Sequence, residues 1–369
     1  MVSVEKLTRK VQYLPKIPVA SQLAYVDAES RLVQRVNDEI RHHPRISEFL
    51  GSNTLQLLEN NHRHHASLMV EVMNQGDYQL LVESLPWVYR AYHNQGVAFD
   101  YFAAENTAWM AALAAELEQG LAVPILAVYQ WMQDSHKSLI EVSMQEPVAL
   151  PQKLGGSFDG LAAQFVAALQ DSNHRLCLET CREAKQLGMD LPTLFENIIY
   201  PAMLEVGLGW EHGSISIAGE HEATAVVNMV LSTLYFDAQM PAQTRGVALV
   251  TASPGEHHEI GGWMIATCLE LDGWDVVYLG ADLPTADIVN SAAQHKVKLV
   301  AMSIAMPFNL GPARQVIESL RANTATADAK ILIGGGVFLR YPFVAANLGA
   351  DACLHSCQDA VTWAREFDQ

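Results

Sequence analysis

The stretch Val247-Ala-Leu-Val-Thr-Ala252, followed by Ser253-Pro-Gly-Glu-His-His-Glu-Ile-Gly-Gly262, decides the fold of the C-terminal third. A short apolar run gives way to a turn bearing proline and glycine, and then to a helical pattern. The same grammar recurs after Val276–Leu279, Leu299–Ile304 and Lys330–Ile333. Such alternation predicts a parallel sheet with helices on both faces. The turn after the first strand opens a helix, the place where doubly wound folds bind ligands. Within it stands Glu256-x-His258-x-x-Gly261. Ser303 closes the third strand, and Gly334-Gly335-Gly336 follows the fourth. A histidine, an acid two residues before it, a hydroxyl and two glycine-rich turns therefore fall at one rim of the sheet.

Upstream of Pro241 the pattern is helical. From Phe158 to Gln239 the loop signals 171–173, 188–191 and 207–219 predict four short helices. From Glu29 to Gln145 helices run almost without interruption. Ser52 is expected to cap one ending at Gly76, and Asp77 to open the next, which reaches Gly96 and carries Pro86. Two more are expected over 98–120 and 124–144, with glycine at the stops and Pro124 near a start. Residues 1–26, with Pro15 and Pro18, read as an extended arm or a loosely docked lead-in, and Gln145–Gly156 as a linker. The expected architecture is an all-α domain of roughly globin size over 1–148, a four-helix module over 157–240, and a doubly wound parallel-sheet domain over 245–369.

Half of the 369 residues are apolar and 17% are charged, which excludes a wholly disordered chain. Lys plus Arg is 23 against 41 for Asp plus Glu, a net charge of −18. A surface this acidic argues against nucleic acid as a partner, since phosphates need positive charge opposite them. The opening MVSVEKLTRK has no apolar signal region, and no apolar run reaches the roughly 18 residues that span a membrane. Five cysteines read as thiols of a cytoplasmic protein. Cys177/Cys181 and Cys353/Cys357 have helical spacing but no C-x-x-C, so thiols are expected there in preference to zinc.

Glu256-x-His258-x-x-Gly261, Ser303 and Gly334-Gly335 together resemble the signature of the Rossmann-like cobalamin-binding domain. Gly280-Ala281-Asp282-Leu283-Pro284 is similar to that family too. The resemblance implies that His258 replaces the cofactor's own base as lower cobalt ligand. It implies that the glycines and Ser303 make room for the nucleotide tail. Most of the family has Asp where this chain has Glu256. The chemistry survives the change, because either carboxylate accepts the ring N–H of a metal-bound histidine. Taken singly, each residue is ordinary: a loop histidine, a tight glycine turn, a serine.

Residues 157–240 look like the four-helix cap that accompanies this domain. Trp210, nine residues, then Glu220-His221 resembles the capping motif of light-sensing adenosylcobalamin repressors. There the three residues enclose the upper face of the corrin and the adenosyl group. In those repressors a histidine directly after the Trp takes the upper position after light. Here Glu211 stands there, and His212 follows as a candidate for that role.

The order of helical domain, cap and cobalamin domain resembles the photocobilins, photoreceptors that use cobalamin together with biliverdin. The resemblance implies adenosylcobalamin and non-covalent biliverdin as cofactors. The first domain has no cysteine to hold a bilin, which would meet its histidine- and aromatic-rich stretch: His62, Arg63, His64, His65, Tyr89, Tyr92, His93, Phe99, Tyr101, Phe102, Trp109 and Trp131. The alternatives are a haem on His64, His65 or His93, or no ligand at all. The expected function is a light sensor that is not an enzyme. It would signal through a homo-oligomer, a dimer in the simplest case, or through a separate output protein. The rival functions are a corrinoid protein serving methyltransferases and a cobalamin or haem sensor that ignores light.

Overall fold

The computed structural model describes residues 4–145 and 158–366. The expected linker lies outside them from residue 146 onward. The chain packs as two compact units. One is Met1–Val148 with Glu211–Gly213; the other is Ala149–Trp210 with Ser214–Gln369.

The first unit contains α1 (Val4–Val11), α2 (Val19–Arg41), α3 (Ile46–Leu50), α4 (Leu55–Gln75), α5 (Gln79–Asn94), α6 (Asp100–Glu116) and α7 (Gln119–Ser143). Of the arm or lead-in expected over 1–26, Val4–Val11 and the residues from Val19 onward are helical. Helix α1 buries Leu7 and Val11 and packs on α5 and α7. Pro18 sits extended at the N-cap of α2, where its missing N–H is not needed. Ser21, Tyr25, Ala28, Leu32, Val36 and Ile40 then form one buried stripe. Polar residues between the few apolar ones hid this period. Helix α4 starts after Thr54, not Ser52, and α7 begins at Gln119, carrying Pro124 inside it.

Many of the aromatic and histidine residues of this unit form a packed polar core. His62 Nδ1 lies 2.6 Å from Asn37 Oδ1, and its Nε2 lies 2.9 Å from the Tyr101 hydroxyl. Asn61 Nδ2 donates to Tyr101 and to Glu105 Oε1, both at 3.0 Å. His65 Nε2 is 3.0 Å from the Tyr129 hydroxyl. Tyr89 stacks on Phe102 at 4.0 Å, and His93 on Phe99 at 3.8 Å. Burial pushes the Glu105 carboxyl up to about 8, against the pull of its Trp109, Asn61 and Tyr101 hydrogen bonds. Burial also lowers His62 to about 3, with the charges of His65 and Arg63 adding to it, and lowers His65 to about 4.

These directions give a pH optimum. Above pH 6.5 the folded unit keeps a proton on Glu105 that the unfolded chain has released, so stability falls as pH rises toward 8. Below 6.5 the unfolded histidines take up protons that the fold refuses, so stability falls again. Each net proton corresponds to about 1.4 kcal/mol per pH unit. Glu105→Gln should therefore flatten the limb between pH 6.5 and 8 and steepen the acid limb, because Glu105 opposes the two histidines down to about pH 4.5. Urea unfolding at stepped pH, followed by hydrogen exchange of the α6 amides, reads this; an unchanged alkaline limb would place the coupling elsewhere.

The second unit opens with α8 (Asp159–Gln170), α9 (His174–Gln186) and α10 (Leu191–Leu194). A π-helical turn, Phe195–Ile199, leads into α11 (Tyr200–Glu211), and α12 (Ile217–Phe236) follows. Asn173, Asp190 and Ser216 cap α9, α10 and α12 by accepting from Leu176, Thr193 and Gly219 N–H groups. The loop expected over 207–219 is shorter than its glycines suggested. The helix runs through Gly207 and Gly209 to Glu211, and Ser214 and Ile215 N–H groups then turn back onto the Gly209 carbonyl. Burial pushes the Cys177 and Cys181 thiols in α9 up to about 11 and about 12.

The sheet follows: β1 (Val247–Ala252), α13 (Ile260–Leu271), β2 (Asp275–Gly280), α14 (Thr285–His295), β3 (Leu299–Ser303), α15 (Leu310–Ala322), β4 (Lys330–Gly334), α16 (Gly336–Arg340), β5 (Ala352–Cys353) and α17 (Cys357–Glu366). All pairings are parallel, in the order β2-β1-β3-β4-β5. This is the doubly wound architecture expected, with a fifth strand of two residues that carries no pattern of its own. The order reverses between β1 and β3, which opens a crevice at their C-terminal ends. Among the described residues no helix is long and apolar enough to cross a membrane.

Candidate functional site

The register places Ala252 beside Ser303 and Ser303 beside Gly334, so the three predicted turns share one rim. Beyond β1, Glu256 is 1% exposed and serves as the hub of that rim. Its Oε1 accepts from His258, from the backbone N–H at 3.2 Å and from Nδ1 at 2.5 Å. Its Oε2 accepts from Ala305 N–H at 2.8 Å, Met306 N–H at 3.1 Å and Asn309 Nδ2 at 3.0 Å. Its carbonyl accepts the Asp282 N–H at 3.1 Å. Burial alone would raise this carboxyl. The hydrogen bond and charge of His258, with the Asn309 and Ala305 bonds, hold it down at about 2 instead.

His258 is fixed by that carboxylate at Nδ1, while 61% of its side chain stays open. Loss of solvent works to lower its pKa, yet the bond and charge of Glu256 and the charge of Glu220 raise it. An imidazole with Nδ1 committed to a carboxylate and its other edge open is the donor a metal wants, with tautomer and direction preset. His257, beside it, is simply exposed.

Asn309, Ala305 and Met306 were missed in the sequence. They lie some fifty residues from Glu256, and two of them act only through backbone N–H groups. The glycines also have a role nearer home than a ligand's tail. Gly335 has φ +116, and a Cβ there would stand 2.2 Å from the Ile304 carbonyl oxygen; at Gly334 it would stand 2.7 Å from the Leu354 oxygen. Both let the turn after β4 close on its neighbours. Gly261 faces Ser303, with 3.5 Å between a built Cβ and the hydroxyl.

On the helical side, Trp210 is half-buried near the end of α11, and Glu220 lies in the first turn of α12, where the helix dipole favours an acid. Glu220 Oε2 is 2.6 Å from His221 Nδ1, and its Oε1 accepts from Thr224 at 2.9 Å. His221 remains 75% exposed. Asn228 of α12 donates to Glu259, one residue past His258, at 3.1 Å, tying helix to rim. His212 is exposed, and Glu211 beside it is buried, paired with Arg90.

The B12 binding domain family matches residues 246–362 and, as a second B12 binding domain family, residues 161–235. The chain carries B12-binding domains. Over 194 residues it is 28% identical to dimethylamine corrinoid protein 1 of Methanosarcina mazei, covering 52% of this chain and 88% of that one. It is 26% identical to trimethylamine corrinoid protein 1 of Methanosarcina acetivorans, over 57% of this chain and 97% of that one. The HTH-type transcriptional repressor CarA of Myxococcus xanthus is 30% identical over 150 residues, 41% of this chain and 49% of the repressor. The Methanosarcina barkeri monomethylamine corrinoid protein shares the fold, with a TM-score of 0.51 at 22% identity over 57% of this chain and 99% of that one. The two B12-binding domains are thus the helices α8–α12 and the sheet, and a corrinoid is their cofactor.

In the first unit, His62, His65, Tyr89, His93, Phe99, Tyr101, Phe102 and Trp109 of the residues nominated for a bilin or haem bond or stack within the core described above, whereas Arg63 is exposed beside Asn60 and the buried Trp131 Nε1 has no hydrogen-bond partner among the described residues. A cavity of about 340 Å³ in that unit is lined instead by Arg35, Asp38, Glu39, His42 and alanines 108, 111 and 112. Among the described residues no group of three or more His, Cys, Asp or Glu side chains is arranged to hold a metal ion.

Proposed function

We propose that this protein holds a cobalamin base-off, with His258 as the lower cobalt ligand and Trp210, Glu220 and His221 turned to the upper substituent. The Glu256–His258 pair carries this reading: a buried, fully satisfied carboxylate orients an open imidazole at the crevice of the sheet. When bound, the cofactor supplies a cobalt–carbon bond that light or a nucleophile can cleave. The chain's own part is to orient His258, to wall the upper face with Trp210, and to offer Glu220 and His221 as polar contacts. No residue of the site is asked to act as a catalytic acid, base or nucleophile.

Two uses of such a site have support. The methylamine corrinoid proteins among the relatives favour a corrinoid protein that serves methyltransferases. The pairing of Trp210 with Glu220-His221 favours an adenosylcobalamin light sensor, signalling through a homodimer or a separate output protein, with His212 available to the cobalt afterwards. Titration of the apo-protein in darkness with each cofactor separates them: the sensor prefers adenosylcobalamin, and the carrier prefers methylcobalamin.

Trp210→Ala, Glu220→Ala and His221→Ala should each lower the preference for adenosyl- over methylcobalamin by about tenfold, the worth of one good contact. Equal loss of both affinities in a titration would remove these residues from the upper face and favour the carrier. The sensor reading extends to non-covalent biliverdin in the first unit, supported by domain order. Apo-protein mixed with biliverdin in darkness should then absorb in the far-red, and acid urea should strip the pigment; no spectral shift would end that extension.

A further inference from the structure

Within the second unit, α12 is joined to the rim of the sheet by a polar contact. Glu220, Thr224 and Asn228 stand one turn apart on the same face of that helix, and all three are half-buried. The Thr224 hydroxyl donates to Glu220 Oε1 at 2.9 Å. One turn further, Asn228 Nδ2 donates to Glu259 Oε1 at 3.1 Å. Glu259 is itself held firmly. Its carbonyl accepts the Trp263 N–H of α13 at 2.9 Å and the Tyr278 hydroxyl of β2 at 3.3 Å. It is also the residue after His258, whose ring Nδ1 and backbone N–H both end on Glu256. Near the far end of α12, Tyr235 meets Trp263 edge-on, with ring centroids 5.8 Å apart.

We infer that Asn228 is a positioning residue for Glu220 and His221: by holding Glu259 it sets where the first turns of α12 stand relative to the rim that carries His258. The inference rests on the reading of Glu220 and His221 as contacts to the upper substituent. The eight residues from Glu220 to Asn228 make about 12 Å of helix, so the bond lies two turns behind the groups it places. Val227, Val230 and Leu231 bury α12 in the apolar core of this unit. Apolar burial is non-directional, so it holds the helix down without fixing its register against the rim. An amide donating to a carboxylate has a set length and direction, and the charge strengthens it. Position 228 thereby has a reason to be an amide, since an acid there would repel Glu259.

Full-length Asn228→Leu, Asn228→Asp, Glu259→Gln and the double variant Asn228→Asp/Glu259→Gln test it. Leucine keeps the volume and removes the donor; aspartate sets two carboxylates against each other. Glu259→Gln alone keeps an oxygen that accepts. The double variant reverses the bond, with the new amide donating to the new carboxylate. In cofactor-free protein, hydrogen exchange over 217–224 should quicken at least about tenfold in both Asn228 single variants and stay within about twofold of wild type in the other two. With cofactor, the ratio of adenosylcobalamin to methylcobalamin affinity should fall about tenfold in the Asn228 singles, as in Glu220→Ala, and hold in the other two. The absorption bands that report His258 on the cobalt should stay in place throughout, because Glu256 holds that ring. Unchanged exchange in the Asn228 singles overturns the joint. Faster exchange with an unchanged affinity ratio overturns the positioning role and leaves Asn228 structural. Displaced absorption bands overturn it too, by moving the effect to the lower ligand. A double variant that behaves like Asn228→Asp overturns the direct bond to Glu259. An affinity ratio that Glu220→Ala and His221→Ala leave untouched would instead overturn the reading of the upper face, with the exchange result still deciding the joint.

Discussion

Glu256→Ala is expected to destabilise the second unit by on the order of 3–5 kcal/mol and to abolish cobalamin capture. The substitution strands the Ala305 and Met306 N–H groups and the Asn309 amide, all of which now end on one buried carboxylate. Buried donors left without an acceptor cost about 1–3 kcal/mol each. Glu256→Gln should behave differently. Its amide oxygen can still accept from the turn after β3, but its –NH2 group cannot accept from His258 Nδ1. The unit should fold, with cofactor affinity lower by roughly 10–100-fold. His258→Ala should keep the fold and lose the binding, because the ring is open and only its one edge is used. His257→Ala should leave both near wild type. Urea melts paired with cobalamin titrations separate all four variants. Identical titrations for the two histidine variants would mean that the ligand has been placed on the wrong residue.

Gly335→Ala should be worse for folding than any change at the cofactor. Its φ of +116 and ψ of 174 lie in a region that only glycine occupies at ease. The new Cβ would also meet the Ile304 carbonyl oxygen at 2.2 Å and its nitrogen at 2.9 Å, both backbone atoms that cannot swing aside. Strain and overlap together should exceed about 4 kcal/mol, enough to leave the sheet largely unfolded at 37 °C. Gly336→Ala is the control. It starts α16, and the nearest atom to its Cβ would be the Ala305 oxygen at 4.0 Å. That variant should melt within about 2 °C of wild type. If Gly335→Ala did the same, the close approach of the two turns would be wrong.

The sheet was legible in the sequence because its signals are local. A strand buried on both faces must be a short apolar run, and a parallel crossover must alternate it with a helix. Val247–Ala252 and Leu299–Ser303 meet both conditions within a few residues. The Glu256-x-His258 turn was legible for the same reason, since two residues of spacing bring carboxylate and Nδ1 together without help from the rest of the chain. Helix α2 was half-read: its stripe is clear from Ala28 onward, but Ser21 and Tyr25 sit among polar residues and Pro18 looked like a breaker.

What the sequence by itself determined was which residue types meet at the rim: strand, turn, acid, histidine, glycine. Tertiary structure alone decided what completes them. Asn309 and the Ala305 and Met306 amides reach Glu256 only because β3 lies beside β1, and every residue offers an N–H, so no pattern could single these out. β5 exists as two residues because β4 supplies its partners Leu332 and Ile333. The aromatic and histidine wealth of the first unit was plain, but composition is the same for a pocket and for a core. Only packing shows His62, Tyr101 and Glu105 turned on one another. Local spacing can fix geometry across one turn of chain; a buried polar group takes its partners from wherever the fold brings them, because it must have them.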